Sequence, residues 1–285
     1  MGKPCVTGKN KSIKKPTEKT ANAKSAFGER KMNKIGVADY GMDVWFGGNY
    51  NLEQRLRKLK SIGIDGIEWL QASNDNEAMN KAIIFHKLGM DFCSCNAGAN
   101  FEQAVRNACA FGKEYVWLPV PPSRILSMED YIRRSNDAVE AAAEYGIKVA
   151  LHNHLGCRIQ NPDELDEFME KVPGAWLLLD IGHLFAAGGD LVKVVENYHE
   201  RFAAVHFKDV FYKDKSISIE ESWGQRLRFC ELEGGNAGMD VKSFCEALKK
   251  VNYKKWLLIE HDTHLRDPYL DLAHTAGVLR KYLGD

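Results

Sequence analysis

Val149-Ala150-Leu151-His152-Asn153-His154 is a short apolar run that ends in two histidines one residue apart. In an extended strand successive side chains leave opposite faces, so His152 and His154 share one face and Asn153 takes the other. Three later runs repeat the design: Leu177-Leu178-Leu179-Asp180, Ala203-Ala204-Val205-His206 and Leu257-Leu258-Ile259-Glu260. Each is apolar and each closes on a side chain able to bind a metal. Whether these four ends meet in space decides both fold and function.

Outward from these runs, strand-like segments alternate with amphipathic helical patterns. Strands are expected at 34–38, 66–70, 91–95, 115–120, 148–154, 176–181, 203–208 and 256–260, and helices near 52–62, 77–88, 101–111, 128–145, 162–171, 191–200, 241–251 and 268–283. Leu52, Leu56, Leu59 and Ile62 recur near helical spacing with Arg and Lys between them, as a sheet-covering helix requires. Gly63, Gly89, Gly112 and Gly146 stand where helices give way to strands, and glycine enters the left-handed conformation that ends a helix. Eight β-then-α units in about 250 residues match an α/β fold of the (β/α)8 TIM barrel type, one domain over residues 32–285. An open doubly wound sheet is the alternative, but no G-x-G-x-x-G follows the first strand. In a barrel all strands are parallel, so their C-terminal ends share one mouth.

The chain is 45% apolar, ample for a core, and formally neutral. Residues 1–31 hold nine Lys/Arg and two Asp/Glu, leaving a mildly acidic remainder of 30 basic and 37 acidic residues. That balance argues against a nucleic-acid-coating surface, and no apolar run approaches the roughly 20 residues of a membrane span. The seven cysteines (Cys5, Cys93, Cys95, Cys109, Cys157, Cys230, Cys245) are odd in number and lack a C-x-x-C pair, which points to reduced thiols and a cytoplasmic location. Cys93 and Cys95 read as small apolar groups on a strand face. Residues 1–31 contain no secretory h-region and are expected to be a disordered basic leader, an appended segment or an organellar address, with Met32 a candidate start.

In the barrel reading, consecutive strand ends present His152, Asp180, His206 and Glu260 as ligands of one divalent cation. Mixed nitrogen and oxygen donors without thiolate suit Mn2+, with Co2+, Mg2+ or Zn2+ as alternatives. A lone histidine at a strand end is more often capped or hydrogen-bonded than a ligand; four corresponding ends reverse that expectation.

Leu151-His152-Asn153-His154, Asp180-Ile181-Gly182-His183-Leu184, Val205-His206-Phe207-Lys208-Asp209 and Leu258-Ile259-Glu260-His261-Asp262 resemble the motifs of the xylose-isomerase-like barrels. That sugar isomerase and epimerase superfamily includes inosose dehydratases. The resemblance implies the same four metal ligands, and a substrate-facing histidine at His183. It also implies a departure, because most members carry Glu where this chain has His152, and their epimerases use that Glu with the eighth-strand Glu as a proton-shuttling pair. The Gly182-His183-Leu184 to Gly189-Asp190 run is closest to inosose dehydratase-like members and tilts the expectation toward β-elimination, as in inosose dehydratase or a 3-keto-glycoside lyase, over isomerase or epimerase chemistry.

Expected catalytic residues are Glu260, His154, His183 and Lys208. Glu260 or a nearby histidine would be the base, His154 or His183 the acid, and Lys208 a positive charge for an oxyanion. A loop histidine on its own backbone is the bland reading of His183, and an ion pair with an interior acid such as Glu68 that of Lys208. Expected substrate contacts are Glu68, Trp117, Arg226 and Arg228, with Trp45, Trp69 and Trp223 as further candidate walls, although tryptophans are more often core. Residues 210–239 form the longest connection and an expected lid or substrate contact; Gly234-Gly235-Asn236-Ala237-Gly238 reads by default as a flexible turn, and a phosphate cradle there would need a following helix N-terminus. The partner is a small carbohydrate or polyol, and a homo-oligomer is compatible with the sequence. An abasic-site endonuclease and a non-catalytic sugar-binding barrel are the remote alternatives.

Overall fold

The computed structural model describes residues 33–38, 51–262 and 264–284. The expected leader, Cys5 and Trp45 lie outside them. The first half of the barrel runs β1 (Ile35–Val37), α1 (Leu52–Ser61), β2 (Gly66–Gln71), α2 (Asp75–Leu88), β3 (Asp91–Asn96), α3 (Phe101–Ala110), β4 (Tyr115–Trp117) and α4 (Met128–Ala143). The second runs β5 (Lys148–His152), α5 (Pro162–Lys171), β6 (Trp176–Asp180), α6 (Ile181–Ala186), α7 (Leu191–Tyr198) and β7 (Phe202–Phe207). A hairpin of β8 (Asp209–Tyr212) and β9 (Leu227–Cys230) encloses α8 (Ile219–Arg226), and α9 (Val241–Lys250), β10 (Trp256–Ile259) and α10 (Pro268–Leu283) complete the chain.

Eight strands pair in the order β3-β2-β1-β10-β7-β6-β5-β4 and every pairing is parallel. The two ends of that order meet through side chains: Ser94 Oγ donates to the Tyr115 carbonyl at 2.7 Å, and Cys93 Sγ lies 3.2 Å from the Tyr115 hydroxyl. The result is the (β/α)8 barrel the sequence leads one to expect.

Alternation along the strands builds its two layers. Val149, Leu151, Leu177, Leu179, Val205, Phe207, Leu257 and Ile259 face the helices and join their apolar stripes in one large core. Ala150, Leu178, Ala204 and Leu258 face inward and, with Tyr115, Trp176 and Trp256, plug the barrel floor. Small residues on these strands make room for the tryptophan rings, so the interior is filled. The next inward position on each of these strands, two residues on, is the expected metal ligand.

The helices begin at polar caps whose side chains accept from the first turn, among them Asn51, Asn74, Asn100, Ser127, Asn161 and Asp190, each worth about 1 kcal/mol. Gly63, Gly89, Gly112 and Gly146 all have positive φ, as their positions at helix ends require. Two departures bear on function. Strand 4 stops at Trp117, short of the expected Val120, because prolines follow at 119, 121 and 122; strand ladders do not accommodate proline. The long connection after β7 is a built hairpin, with Asp209 paired to Cys230 and Tyr212 to Leu227.

Candidate active site

The four strand ends converge. One donor atom each from His152, Asp180, His206 and Glu260 lies within 4.8 Å of the other three. Strand stagger makes this possible: His152 is level in register with Leu178, and His206 with Leu258, so tilting the strands around the barrel brings residues offset by two to one height.

Local structure aims each group. Asp180 caps α6, its Oδ1 accepting the His183 N–H at 2.9 Å. That leaves Oδ2 to face His152 Nε2 at 3.4 Å and His206 Nδ1 at 3.6 Å. Asn153, on the opposite face from His152, clamps the Asp180 peptide at two points: its Oδ1 accepts the N–H at 2.8 Å and its Nδ2 donates to the C=O at 3.0 Å. Strand 5 thus fixes the end of strand 6 beyond the regular ladder.

Lys208 is fully buried, and its ammonium lies 2.9 Å from Asp180 Oδ2, 2.7 Å from Glu260 Oε2 and 2.8 Å from Asp262 Oδ2. In the ion-pair reading of Lys208 an interior acid such as Glu68 is its partner, but Glu68 is engaged elsewhere: it accepts from Trp117 Nε1 at 2.8 Å and lies 3.2 Å from His206 Nε2. Burial opposes charge on Lys208, but Asp180, Asp262 and Glu260 outweigh it and hold the amine well above its ordinary range. Burial likewise pulls His206 down, and Glu68 and Glu260 with Asp180 overcome it and hold the imidazole well up. Asp180 and Glu260 are each pushed up by burial but driven well below the carboxylate range, chiefly by Lys208. Gly182 leaves room for this lysine, since a Cβ there would stand 2.5 Å from Lys208 Cγ and 3.1 Å from Phe229 Cδ1.

His154 and His183 stack with ring centroids 3.7 Å apart, and one residue sets both tautomers. His154 Nδ1 bonds the Leu155 carbonyl at 2.6 Å, so Nδ1 carries the proton and Nε2 a lone pair. The Leu155 N–H donates to His183 Nδ1 at 3.2 Å, so His183 carries its proton on Nε2, which is buried and has no partner. Burial, with His152 and the Lys208 ammonium nearby, lowers His154 to about 4, and burial and Lys208 hold His183 well below its ordinary value. Both imidazoles are neutral near pH 7, one an acceptor and the other a donor.

This constellation can be set beside known proteins. The family model described as xylose isomerase-like TIM barrel matches residues 56–282. The chain belongs to that family. Among curated relatives, the inosose dehydratase of Glaesserella parasuis serovar 5 (strain SH0165) is 35% identical over 163 residues, covering 51% of this chain and 53% of that protein. The chain therefore spans about half the length of the relatives it matches. Solved structures sharing the fold include the IolI protein with a zinc atom, with a TM-score of 0.65 and 17% identity over 88% of this chain and all of that one. Another is 3-keto-D-glucoside 4-epimerase, YcjR, from E. coli, with a TM-score of 0.63 and 15% identity over 87% and 99%.

Within this family member, the donor chemistry fits a divalent cation: two imidazoles and two carboxylates, no thiolate, and a buried setting. The remaining expected residues fall in two groups. Trp117 joins the cluster with its ring 4.7 Å from His152, and Trp69 packs on it edge-on at 4.6 Å. Trp223 closes over the stacked histidines at 5.9 and 6.0 Å, and Phe229 lies 4.4 Å from His183. Arg226 instead donates to the Lys215 carbonyl at 2.8 Å and to that of Ile217, and lies over Tyr212. Arg228 lies over Phe211 at 4.5 Å. The hairpin therefore lends the mouth aromatic rings, while these arginines contact the hairpin itself. The glycine-rich turn is tied down, with Gly235 N–H on Asp209 and Asn236 bonded to both peptide groups of Tyr212.

Four residues of this site were not expected from the sequence, Phe229 among them. Asp262 holds Lys208 from a left-handed backbone, φ 58°, and burial pushes its carboxyl up to about 6 against the pull of Lys208. Asn153 and Leu155 act through an amide and a peptide. Only the x of His-x-His, and a polar residue amid apolar neighbours, hinted at Asn153; nothing in the side chain of Leu155 signals its role. Among the described residues no helix is long and apolar enough to cross a membrane.

Proposed function

We propose that the chain is a divalent-cation-dependent lyase that eliminates water from a small keto-polyol of the inosose type. The observation that carries this reading is the oppositely fixed histidine pair beside the four-ligand cluster. Mn2+ is the proposed ion, and when bound it supplies Lewis-acid polarisation of the substrate carbonyl, which acidifies the neighbouring C–H.

His154 Nε2 takes that proton, and the C–H electron pair moves toward the carbonyl. The pair then returns to form the new C=C bond as the β-hydroxyl departs, and His154 gives its proton to that oxygen, releasing water and regaining neutrality. His183 Nε2–H donates a hydrogen bond to a substrate oxygen and keeps its own proton. Glu260 is the less suitable base, since its Oε2 already faces Lys208 Nζ and His206 Nδ1. Lys208 holds Asp180, Glu260 and Asp262 in place, and Glu68 with Trp117 forms the opposite wall. Trp223 and Phe229 exclude water above the histidines. Similarity to an inosose dehydratase favours elimination; a second reading, isomerisation or epimerisation, follows if His154 returns the proton to carbon.

The test is incubation of Mn2+-loaded protein with inosose, 3-keto-glucosides and ketohexoses in D2O. A new enone absorbance is expected with inosose, deuterium in an isomerised sugar would replace elimination by the second reading, and unchanged substrates would remove both.

A further inference from the structure

Glu260 and its neighbour His261 leave the end of the eighth barrel strand on opposite sides. Glu260 joins the barrel-mouth cluster, whereas His261 meets α10, where its Nε2 lies 3.0 Å from Thr275 Oγ1. His261 is 2% exposed and its other nitrogen, Nδ1, is buried without a partner. Buried polar atoms normally have one. Around it stand His264, whose Nδ1 is 3.3 Å from Asp271 Oδ2, and Asp271 itself, 4% exposed in the first turn of α10. One ring nitrogen of each histidine and one oxygen of Asp271 lie within 4.8 Å of one another.

We propose that His261, His264 and Asp271 form a second cation site, suited to Zn2+, that fastens the segment after the eighth strand to α10. Two imidazoles and a carboxylate, with a fourth position left for water, are a donor set that zinc accepts. The surroundings match what such ligands need. Thr275 Oγ1 accepts the Leu232 N–H at 3.1 Å and keeps a lone pair for His261 Nε2–H, the tautomer that leaves Nδ1 free to ligate. Arg266 Nε donates to Asp271 Oδ1 at 2.5 Å and so leaves Oδ2 as the ligand oxygen. A simple hydrogen-bonded pin would account for His264, Asp271 and Arg266, but it would leave His261 Nδ1 with nothing. The fastened segment includes Asp262, so this ion would steady one partner of Lys208 without touching substrate.

The site is independent of the catalytic reading, and its test is built to stay so. Crystals of the full chain grown with ZnCl2 are expected to show an anomalous difference peak between these three side chains; no peak there overturns the proposal, whether or not the barrel mouth is occupied. In solution, zinc retained after gel filtration is expected to fall by about one ion per chain in His264→Ala and in Asp271→Asn. Glu260→Gln is expected to keep this ion while losing the other. Zinc content unchanged by both His264→Ala and Asp271→Asn overturns the proposal.

Discussion

The two halves of the barrel mouth follow the same alternation but carry different chemistry. Strands β5, β6, β7 and β10 present His152, Asp180, His206 and Glu260 above a floor of Ala150, Leu178, Ala204 and Leu258. The β2 and β4 side contributes Glu68 and Trp117, which bond each other and lean on His206 and His152. The later half therefore carries the proposed ligands and proton-transfer groups, and the earlier half forms the wall beside them. Parallel strands bring all inward ends to one mouth; what each half does depends on which inward residues the sequence supplies.

The largest effect is expected at Asp180. Asp180→Ala removes a proposed ligand, the cap of α6 and a partner of Lys208, leaving a buried ammonium short of countercharge. A loss of about 3–5 kcal/mol in denaturant unfolding is expected, with turnover abolished. Asp180→Asn retains the cap through its side-chain oxygen, so it should recover about 1 kcal/mol of that loss without restoring turnover.

His154→Ala separates proton transfer from cation binding. Turnover of inosose should fall about 10²–10⁴-fold, while Mn2+ affinity and the melting temperature stay close to wild type. The corresponding change in the earlier half, Glu68→Gln, should mainly raise KM. Equal losses of kcat from the two variants would erase the distinction between the halves.

Much of this half-and-half design is legible in the sequence, because apolar alternation and a chemically distinct strand end are local patterns. His152, Asp180, His206 and Glu260 follow from period two and the barrel count. Asp262 does not, since its use depends on Lys208 crossing to it from a different strand. Leu155 acts through its peptide, and Arg226 is spent on carbonyls of a hairpin that its connection does not announce by alternation. Gly182 stands in a motif, but the reason for it, space for the Lys208 stem, exists only in three dimensions. Gly182→Ala is accordingly expected to displace Lys208, costing about 1–3 kcal/mol by overpacking and weakening cation binding; crystal structures of the variant and parent would reveal the shift.

The smallest effect lies outside the mouth. Glu164 completes the capping box of α5 and accepts from Arg124 at 2.6 Å and Arg158 at 2.8 Å. Burial pulls its carboxyl up, but Arg124, the Gln160 N–H and Arg158 together bring it below its ordinary value. A depressed folded pKa stabilises above the unfolded value, about 4.5, and that contribution is lost as pH falls through the lower folded value. Glu164→Gln should therefore cost about 1–2 kcal/mol near pH 7, shrinking in acid, as read by unfolding at both pH values.

The central claim is that the four strand ends hold one divalent cation, and Mn2+ titration followed by electron paramagnetic resonance tests it most directly. Chelator-treated wild type should quench the free-ion signal of about the first equivalent added, and Glu260→Gln should leave most of that signal visible. A full free-ion signal in the wild type, or identical titrations for the two proteins, would contradict the claim.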